Sequence, residues 1–161
     1  MRVVFWTGLC VLVLDQLSKI LVVQVLALKL KGEIAVLPPL LTFRMAWNTG
    51  VNFGLFSRGS EVMRWVLIAV ALAIVAGVLV WLRRSPQGRW TLIASGLLIG
   101  GALGNVIDRL VYGAVADFLN MSCCGIENPY AFNVADIAIF AGALGLALFS
   151  RDAPRKNARR S

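Results

Sequence analysis

Residues 100–136 read GGALGNVIDRLVYGAVADFLNMSCCGIENPYAFNVAD, and in them acids, amides and an arginine stand directly beside long apolar runs. Six polar residues lie along or between these runs: Asn105, Asp108, Arg109, Asp117, Asn133 and Asp136. Such side chains are costly to insert into a membrane, so each is a candidate for a functional role. The segment therefore predicts a membrane fold with a polar site inside it.

The composition of the whole chain is that of a membrane protein. Of its 161 residues, 59% are hydrophobic and 15% are charged, and the mean hydropathy is +0.80, far above that of a soluble domain. The net charge of +8 does not indicate a nucleic-acid partner. The basic residues lie at the ends of apolar runs and in the tail, as cytoplasmic membrane flanks do.

The chain contains no histidine. This excludes Ser-His-Asp and Cys-His catalysis and the H-E-x-x-H zinc motif. The cysteines, Cys10, Cys123 and Cys124, form no C-x-x-C pair, so we expect no metal and no other cofactor. Whether Cys123 and Cys124 bond to anything is open at this stage. A hydrolase with this composition would have to depend on carboxylates.

The hydrophobic runs predict an all-α membrane protein in which residues 1–150 form a single domain. Four transmembrane helices are expected, at about 3–28, 62–82, 90–111 and 129–149. Gly96, Gly100 and Gly104 recur every four residues in the third, which favours close helix packing. Residues 151–161 are expected to form a basic cytoplasmic tail.

Between the first two helices, residues 29–61 predict an outer ledge on the membrane surface. Two prolines, Pro38 and Pro39, precede a stretch in which polar and apolar residues partly alternate. This pattern predicts short strands around the turn 48–50, in a strand-rich cradle. Three aromatic residues are expected to face lipid: Trp47, Phe53 and Phe56.

Asp15 and Lys19 form a polar pair within the first apolar segment. Because they are four residues apart, they share one helical face. Two interpretations stay open. The pair could be an intrahelical ion pair that lowers the cost of insertion, or it could orient a polar group nearby.

The distribution of basic residues predicts the orientation. Nine of the sixteen lie on the side of the termini, and Lys19 lies within the first apolar segment. The other side carries six, spread over two longer connections. Both termini are therefore expected in the cytoplasm, with the ledge and Asp117 at the outer, periplasmic face.

Asp117 and Asp136 are the residues that favour hydrolytic chemistry. Two antiparallel helices with a short connection can bring these carboxylates to one depth, where they would share a proton. One acid can then activate water while the other protonates the scissile carbonyl. The structural alternatives are that Asp108 pairs with Arg109 and that Asp136 caps its own helix. The density of polar residues in one region favours a site.

These residues resemble the lipoprotein signal peptidases (signal peptidase II), bacterial inner-membrane aspartyl endopeptidases. The matching motifs, in the family's order, are Asp15-Gln16 with Lys19, Asn48-Thr49-Gly50 with Phe53, Gly104-Asn105-x-x-Asp108-Arg109 with Gly113, Val115 and Asp117-Phe118, and Phe132-Asn133-x-Ala135-Asp136. Together they are highly specific and extend from Asp15 to Asp136. One departure is Asn52, where the family usually has a small apolar residue.

The resemblance implies a catalytic dyad of Asp117 and Asp136. Seven supporting or substrate-binding residues are expected: Asn48, Gly50, Asn105, Arg109, Val115, Asn133 and Ala135. The implied substrate is a diacylglyceryl-modified prolipoprotein, cut just before the lipidated cysteine. A monomer that contacts membrane lipid is expected.

Two other classes of protein are weighed against a peptidase. A small transporter could use Asp15, Asp117 and Asp136 as a proton relay, but the two halves of the chain show no internal repeat. A purely structural membrane subunit would need no pair of acids. The G-x-G-D motif of another class of intramembrane aspartyl protease is absent from the sequence.

Overall fold

The fold is known from a computed structural model that describes residues 1–50 and 59–150. Its elements, in chain order, are α1 (Arg2–Lys19), a π-helical segment (Ile20–Val25), α2 (Leu28–Lys31), β1 (Glu33–Leu37), β2 (Leu41–Asn48), α3 (Gly59–Arg84), α4 (Arg89–Tyr112), β3 (Val115–Met121) and α5 (Val134–Phe149).

The long helices form an apolar bundle centred on α4. Three helical stretches in the described residues are long and apolar enough to cross a membrane: Arg2–Val25, Glu61–Arg84 and Arg89–Tyr112. The fourth, α5, is apolar but has only 16 residues. Helix α4 packs against α1, α3 and α5 and is the most buried of the three long stretches. The predicted helical membrane fold with a small sheet is confirmed.

Small residues allow the helices of the bundle to approach closely. A β-carbon built at Gly142 of α5 would lie 2.6 Å from the backbone nitrogen of Leu98 in α4. On the other side of α4, Gly100 lies directly against the backbone of Gly8 in α1. Helix association in membranes depends on such close packing, so these glycines place α1 and α5 against α4.

A three-stranded antiparallel sheet covers one end of the bundle, in the order β1-β2-β3. Ala46 of β2 pairs with Asp117 of β3, and Trp47 pairs with Ala116. The hairpin of β1 and β2 turns between Leu37 and Leu41, not at residues 48–50 as the sequence indicated. Strand β3, expected as a plain connection, completes the sheet and carries Asp117.

Two helix ends differ from the predicted positions. The first helix becomes π-helical at Ile20, and Ala27, in a left-handed conformation, precedes the separate short helix α2. The last helix begins at Val134 and not near Pro129, because Phe132 forms a β-bridge with Leu119 and stays extended. Helix α3 begins at Gly59, inside the predicted ledge.

Parts of three predictions lie outside the described residues. These are the lipid-facing placement of Phe53 and Phe56, the role of Asn52, and the tail 151–161. Trp47 is among the described residues. Its ring packs against that of Tyr112 in α4, with 5.8 Å between the two ring centroids. Trp47 therefore ties the sheet to the bundle.

Candidate active site

Asp117 lies at the inner end of the sheet, where β3 leaves α4. Its side chain is buried, with 3% exposed. Each of its carboxylate oxygens accepts a hydrogen bond from a neutral amide. Asn48 Nδ2 donates to Oδ2 at 3.1 Å, and Asn133 Nδ2 donates to Oδ1 at 2.6 Å. The carboxylate is thus fixed in orientation, and no positively charged side chain among residues 1–50 and 59–150 forms an ion pair with it.

Asp136 lies in the first turn of α5, opposite this carboxylate. Asn133 caps the helix through its Oδ1, which accepts from the Asp136 N–H at 2.9 Å. Asp136 Oδ2 accepts from the Asn133 N–H at 3.3 Å, which completes a capping box. Asp136 therefore does cap its own helix, as the structural alternative predicted, but the cap uses only one of its carboxylate oxygens.

The other oxygen of Asp136 points to a third amide. Asn105 Nδ2 of α4 donates to Asp136 Oδ1 at 2.9 Å, and Asn105 Oδ1 accepts from Asn133 Nδ2 at 3.3 Å. Asn133 thus contacts both acids and Asn105 at once. The structure brings together both predicted catalytic residues and three of the predicted supporting amides.

Burial and charge act together on Asp117. The pKa of its carboxyl is raised to about 6, mainly by removal from water and then by the nearby Asp136 carboxylate. The hydrogen bonds from Asn48 and Asn133 and the charge of Lys19 oppose this rise in pKa. Asp117 can therefore carry a proton close to neutral pH, as a general acid must.

A cleft of about 470 Å³ opens directly onto Asp117. It lies between the end of β2 and the loop before α5, and its other lining residues are Ala46, Trp47, Asn48, Thr49, Gly50, Pro129, Tyr130 and Ala131. An extended peptide laid along β2 would pass over the Asp117 carboxyl. The cleft gives access to Asp117, which together with Asp136 we call the dyad.

Gly50 shapes this cleft through its backbone. Its φ of +109° is unfavourable for other residues. Its N–H donates to Asn48 Oδ1 at 2.9 Å, which turns Asn48 Nδ2 toward Asp117. A side chain at this position would also collide with Leu67 of α3. Gly50 thus positions Asn48, in line with the predicted supporting role.

A second polar group lies deeper in the bundle, and we call it the ion cluster: Asp15, Lys19 and Asp108, with Gln16. Lys19 Nζ lies 2.7 Å from Asp15 Oδ2 and 2.8 Å from Asp108 Oδ2. Gln16 Nε2 donates to both carboxylates, at 3.1 Å and 3.0 Å. The predicted pair of Asp15 and Lys19 is present, and Lys19 also binds a second acid on α4.

The ion cluster contacts the chain immediately before each member of the dyad. Asp108 Oδ2 accepts from the N–H of Ala116 at 3.1 Å, and Asp15 Oδ1 accepts from the N–H of Ala135 at 3.0 Å. The pair of Asp15 and Lys19 is therefore intrahelical, and its Asp15 also binds a backbone N–H at the start of α5.

The other predicted site residues lie beside the dyad, but with different contacts from those expected. Arg109 does not pair with Asp108, which instead binds Lys19. Its guanidinium donates to the Asn105 carbonyl of its own helix at 3.2 Å. Val115 is buried and pairs with Asn48 across the sheet. Ala135 is fully buried and contributes its N–H to Asp15.

Sequence reasoning overlooked the residues that build the far wall of the cleft. Asn120 Nδ2 donates to the carbonyls of Asn128 and Tyr130, at 2.7 Å and 2.8 Å. This holds the loop that carries Tyr130 against β3. Recognising β3 as a strand would have indicated that Asn120 lies near the cleft.

Comparisons with known proteins identify the family of this chain. The family model described as signal peptidase (SPase) II matches residues 7–151. The chain is 51% identical over 120 residues to the lipoprotein signal peptidase of Methylorubrum extorquens, covering 74% of this chain and 69% of that protein. It is 40% identical over 144 residues to that of Pseudomonas aeruginosa, covering 89% and 84%.

The fold is similar to that of a solved bacterial membrane enzyme, determined by the in meso method at 2.3 Å resolution. The TM-score is 0.77 at 23% sequence identity, and the match covers 100% of this chain and 95% of the other. At that identity the likeness shows the fold alone. The sequence relatives show the family.

Proposed function

We propose, from the premise that this chain belongs to the signal peptidase II family, that Asp117 and Asp136 are its catalytic dyad. The chain is a membrane peptidase of the aspartic class, and neither a proton relay nor a purely structural subunit. The observation that carries the proposal is the position of Asn133. Its side-chain Nδ2 donates to Asp117, its backbone N–H donates to the Asp136 carboxylate, and its side-chain Oδ1 accepts from the Asp136 N–H.

The two acids divide the chemistry according to their surroundings. Asp117, with its raised pKa, carries the proton and donates it to the scissile carbonyl oxygen. Asp136, oriented by Asn105 and the Asn133 N–H, acts as the base and removes a proton from the attacking water. The new C–O bond forms as the carbonyl oxygen is protonated, so the tetrahedral intermediate carries no net charge.

Collapse of the intermediate reverses the two roles. Asp136 gives the proton it took from water to the departing amine nitrogen, and the C–N bond breaks. Asp117 recovers its proton as the second hydroxyl becomes the carbonyl of the new carboxyl group. Protons and charge balance over the cycle, and the dyad returns to its starting state without a metal or a covalent intermediate.

The amides support the peptide and the dyad. Asn48 and Gly50 border the cleft, so they can hold substrate backbone as well as Asp117. Asn105 and Asn133 fix Asp136, and Arg109 fixes the carbonyl of Asn105. Val115 and Ala135 act through the backbone of β3 and of the start of α5, where they keep the acids in register.

The proposed substrate is a prolipoprotein already diacylglycerylated on cysteine, cut just before that residue. The relatives are named lipoprotein signal peptidases, and the cleft opens where the sheet meets apolar helices. A lipid on the residue after the scissile bond would hold that bond at this depth. Each buried methylene contributes about 0.8 kcal/mol, and two chains anchor far more firmly than one.

The proposed location is the bacterial inner membrane. The clustering of basic residues near the termini supports a cytoplasmic position for both ends, including the tail 151–161. The sheet and the dyad would then face the periplasm. We further propose that residues 1–150 act as one peptidase domain, as a monomer that contacts membrane lipid.

The dyad is tested by replacing each carboxyl with an amide. Purified Asp117→Asn and Asp136→Asn proteins should cleave a lipidated lipobox peptide at least about a thousandfold more slowly than the unchanged chain. Glu33→Gln is the matched control, because it makes the same chemical change at an exposed residue of β1. Near-normal turnover in either dyad variant would overturn the assignment.

The role of the lipid is tested with two forms of one peptide. Without the diacylglyceryl group, cleavage should slow at least about a hundredfold, which corresponds to about 2.7 kcal/mol of lost positioning. Chelating agents should leave both rates unchanged. Equal rates on the two peptides would show that the lipid takes no part in recognition, whatever the dyad variants do.

A further inference from the structure

Two adjacent cysteines lie at the tip of the segment between β3 and α5. Cys123 and Cys124 are both exposed free thiols, and their sulfur atoms lie 2.8 Å apart, with the Cys123 thiol donating to Cys124. The peptidase mechanism uses neither residue. Cys10, the other cysteine, lies alone on the exposed face of α1.

A tight turn holds the two thiols together. The N–H of Ile126 donates to the carbonyl of Cys123 at 2.9 Å. The two central residues both have positive φ, +59° at Cys124 and +80° at Gly125. Glycine accepts this conformation readily, whereas cysteine rarely adopts it. The turn therefore fixes Cys124 in an unusual backbone state in which its sulfur lies beside that of its neighbour.

We propose that Cys123 and Cys124 form a reversible thiol–disulfide exchange site, which a disulfide-containing oxidant converts to a bond between the two adjacent sulfurs. The site lies outside the candidate membrane spans, at the end of the bundle that carries the dyad. In the orientation proposed above this is the periplasmic side, where disulfides form and persist. The proposal itself depends only on the turn and the two thiols.

The hydrogen bond between the sulfurs assigns a role to each cysteine. Cys123 donates, and this raises the pKa of its thiol. A raised pKa leaves the Cys123 thiol less ionised at neutral pH and so makes it the poorer nucleophile. Cys124 therefore attacks one sulfur of the external disulfide, forms a mixed disulfide and releases one external thiolate, which takes up a proton.

Cys123 completes the exchange. After losing its proton, its sulfur attacks Cys124 Sγ, the Cys123–Cys124 bond forms, and the second external thiol leaves. Two protein thiols are oxidised, and one external disulfide is reduced to two thiols. Adjacent α-carbons lie about 3.8 Å apart, closer than the roughly 4.4–6.8 Å usual for a disulfide. The bond is therefore easily reduced again, which makes the site reversible.

The site is joined to the cleft wall. Ser122, the residue before Cys123, accepts from the Asn128 N–H at 3.0 Å and donates to Asn120 Oδ1 at 3.3 Å. Asn120 in turn holds the carbonyl of Tyr130, which lines the cleft. An eight-membered disulfide ring at Cys123 and Cys124 would stiffen the end of this wall.

The test uses the full chain in detergent, in a Cys10→Ser background that keeps only the two adjacent thiols. The protein is treated with oxidised glutathione, denatured and labelled with a maleimide, and its mass is then measured by intact-protein mass spectrometry. We expect a monomer that takes up no maleimide and is about two mass units lighter than the reduced, unlabelled protein, because forming the disulfide removes two hydrogen atoms. Dithiothreitol should restore both labels.

Single variants test whether both thiols are needed. Cys123→Ser should stop at a stable glutathione adduct on Cys124, because the resolving thiol is gone. Cys124→Ser should likewise stop at an adduct on Cys123, because no second thiol is left to displace glutathione. Two labels after oxidation of the Cys10→Ser protein, or a disulfide-linked dimer, would overturn the proposal. Each readout is independent of peptidase activity.

Discussion

The dyad and the ion cluster each contain two buried or half-buried aspartates, but the charges around these aspartates differ. In the ion cluster, two buried carboxylates share one lysine and also accept backbone and side-chain hydrogen bonds. In the dyad, the hydrogen bonds that the carboxylates accept from the described residues come from neutral donors. Both ion pairs found in the described part of the chain are made by Lys19. One cluster joins its two acids through a shared cation, and the other places two acids near each other among neutral amides.

This difference assigns each cluster a task. A buried carboxylate paired with lysine has a fixed charge and makes fixed hydrogen bonds, which suits it to hold the backbone. A buried carboxyl that faces another acid is kept from ionising fully, which suits it to transfer protons. The ion cluster binds the N–H groups of Ala116 and Ala135. The stable cluster thereby holds the reactive one in place.

The largest expected effect comes from breaking the ion cluster. Lys19→Met leaves two buried carboxylates without their common cation, and removing one partner of a buried ion pair costs about 3–5 kcal/mol. Thermal and denaturant unfolding in one detergent would measure this loss of stability. Asp117→Asn and Asp136→Asn should each change the free energy of unfolding by less than about 1 kcal/mol.

Lys29→Met is the matched control for Lys19→Met. Lys29 carries the same charge but lies exposed on α2, and surface charges contribute little to stability. If Lys19→Met and Lys29→Met unfold alike, the ion cluster does not stabilise the bundle, and its contrast with the dyad fails.

The next effect comes from Asn133, which both caps α5 and binds Asp117. Asn133→Ala should lose both contributions, with cleavage slowed about a hundredfold and stability lowered by about 1 kcal/mol. Asn133→Ser separates them, because serine is a good helix cap but has no amide to reach Asp117.

We expect Asn133→Ser to be nearly as stable as the unchanged chain and about as inactive as Asn133→Ala. Steady-state cleavage and thermal unfolding of the same samples would show this. If serine restored activity along with stability, Asn133 would act only as a helix cap.

Much of the site could be predicted from sequence because its residues stand out from their surroundings. Acids and amides in apolar runs are rare and costly, which singled out Asp15, Asn105, Asp117 and Asp136. Helix α4 was predicted at 90–111 and found at Arg89–Tyr112. Its limits are set locally, by the basic turn before it and by Gly113, which ends it in a left-handed conformation.

Features set by distant contacts could not be predicted in this way. Lys19 and Asp108 are far apart in the chain, so sequence spacing suggested the adjacent Arg109 as the partner of Asp108. The start of α5 is set by Phe132 pairing with Leu119, and local signals pointed instead to Pro129. Strand β3 is buried along most of its length, so it lacks the alternation that marks a half-exposed strand.

The pH dependence of cleavage follows from the dyad. The pKa of Asp117 is raised to about 6, and its proton must be present for it to act as the acid. Above this pKa the proton is lost, so kcat/KM should fall up to about tenfold per pH unit. Below it, Asp117 stays protonated and this loss disappears. Initial rates from pH 5 to 8 on one lipidated peptide would measure this fall, which we call the alkaline limb of the kcat/KM profile. A flat profile would contradict the assignment of Asp117 as the acid.

The smallest expected effect is a shift in the pH of the alkaline limb of kcat/KM. It also tests the dyad most directly. The hydrogen bond from Asn48 to Asp117 lowers the pKa of the Asp117 carboxyl, because it favours the ionised form. Asn48→Ala should therefore raise the pKa and move the alkaline limb of kcat/KM upward by about half a unit to one unit. At the lowest pH the rate should fall less than about tenfold, since Asn133 still holds the carboxyl.

Thr49→Ala is the control for this shift. Thr49 borders the same cleft, so its loss can weaken peptide binding, but no hydrogen bond from it to Asp117 is present in the described part of the chain. The alkaline limb of kcat/KM for Thr49→Ala should therefore lie at the same pH as in the unchanged protein. If Asn48→Ala lowered the rate equally at every pH, Asn48 would act on the substrate alone. The proton on Asp117 would then be set without it, and the amide donors would orient the dyad without tuning it.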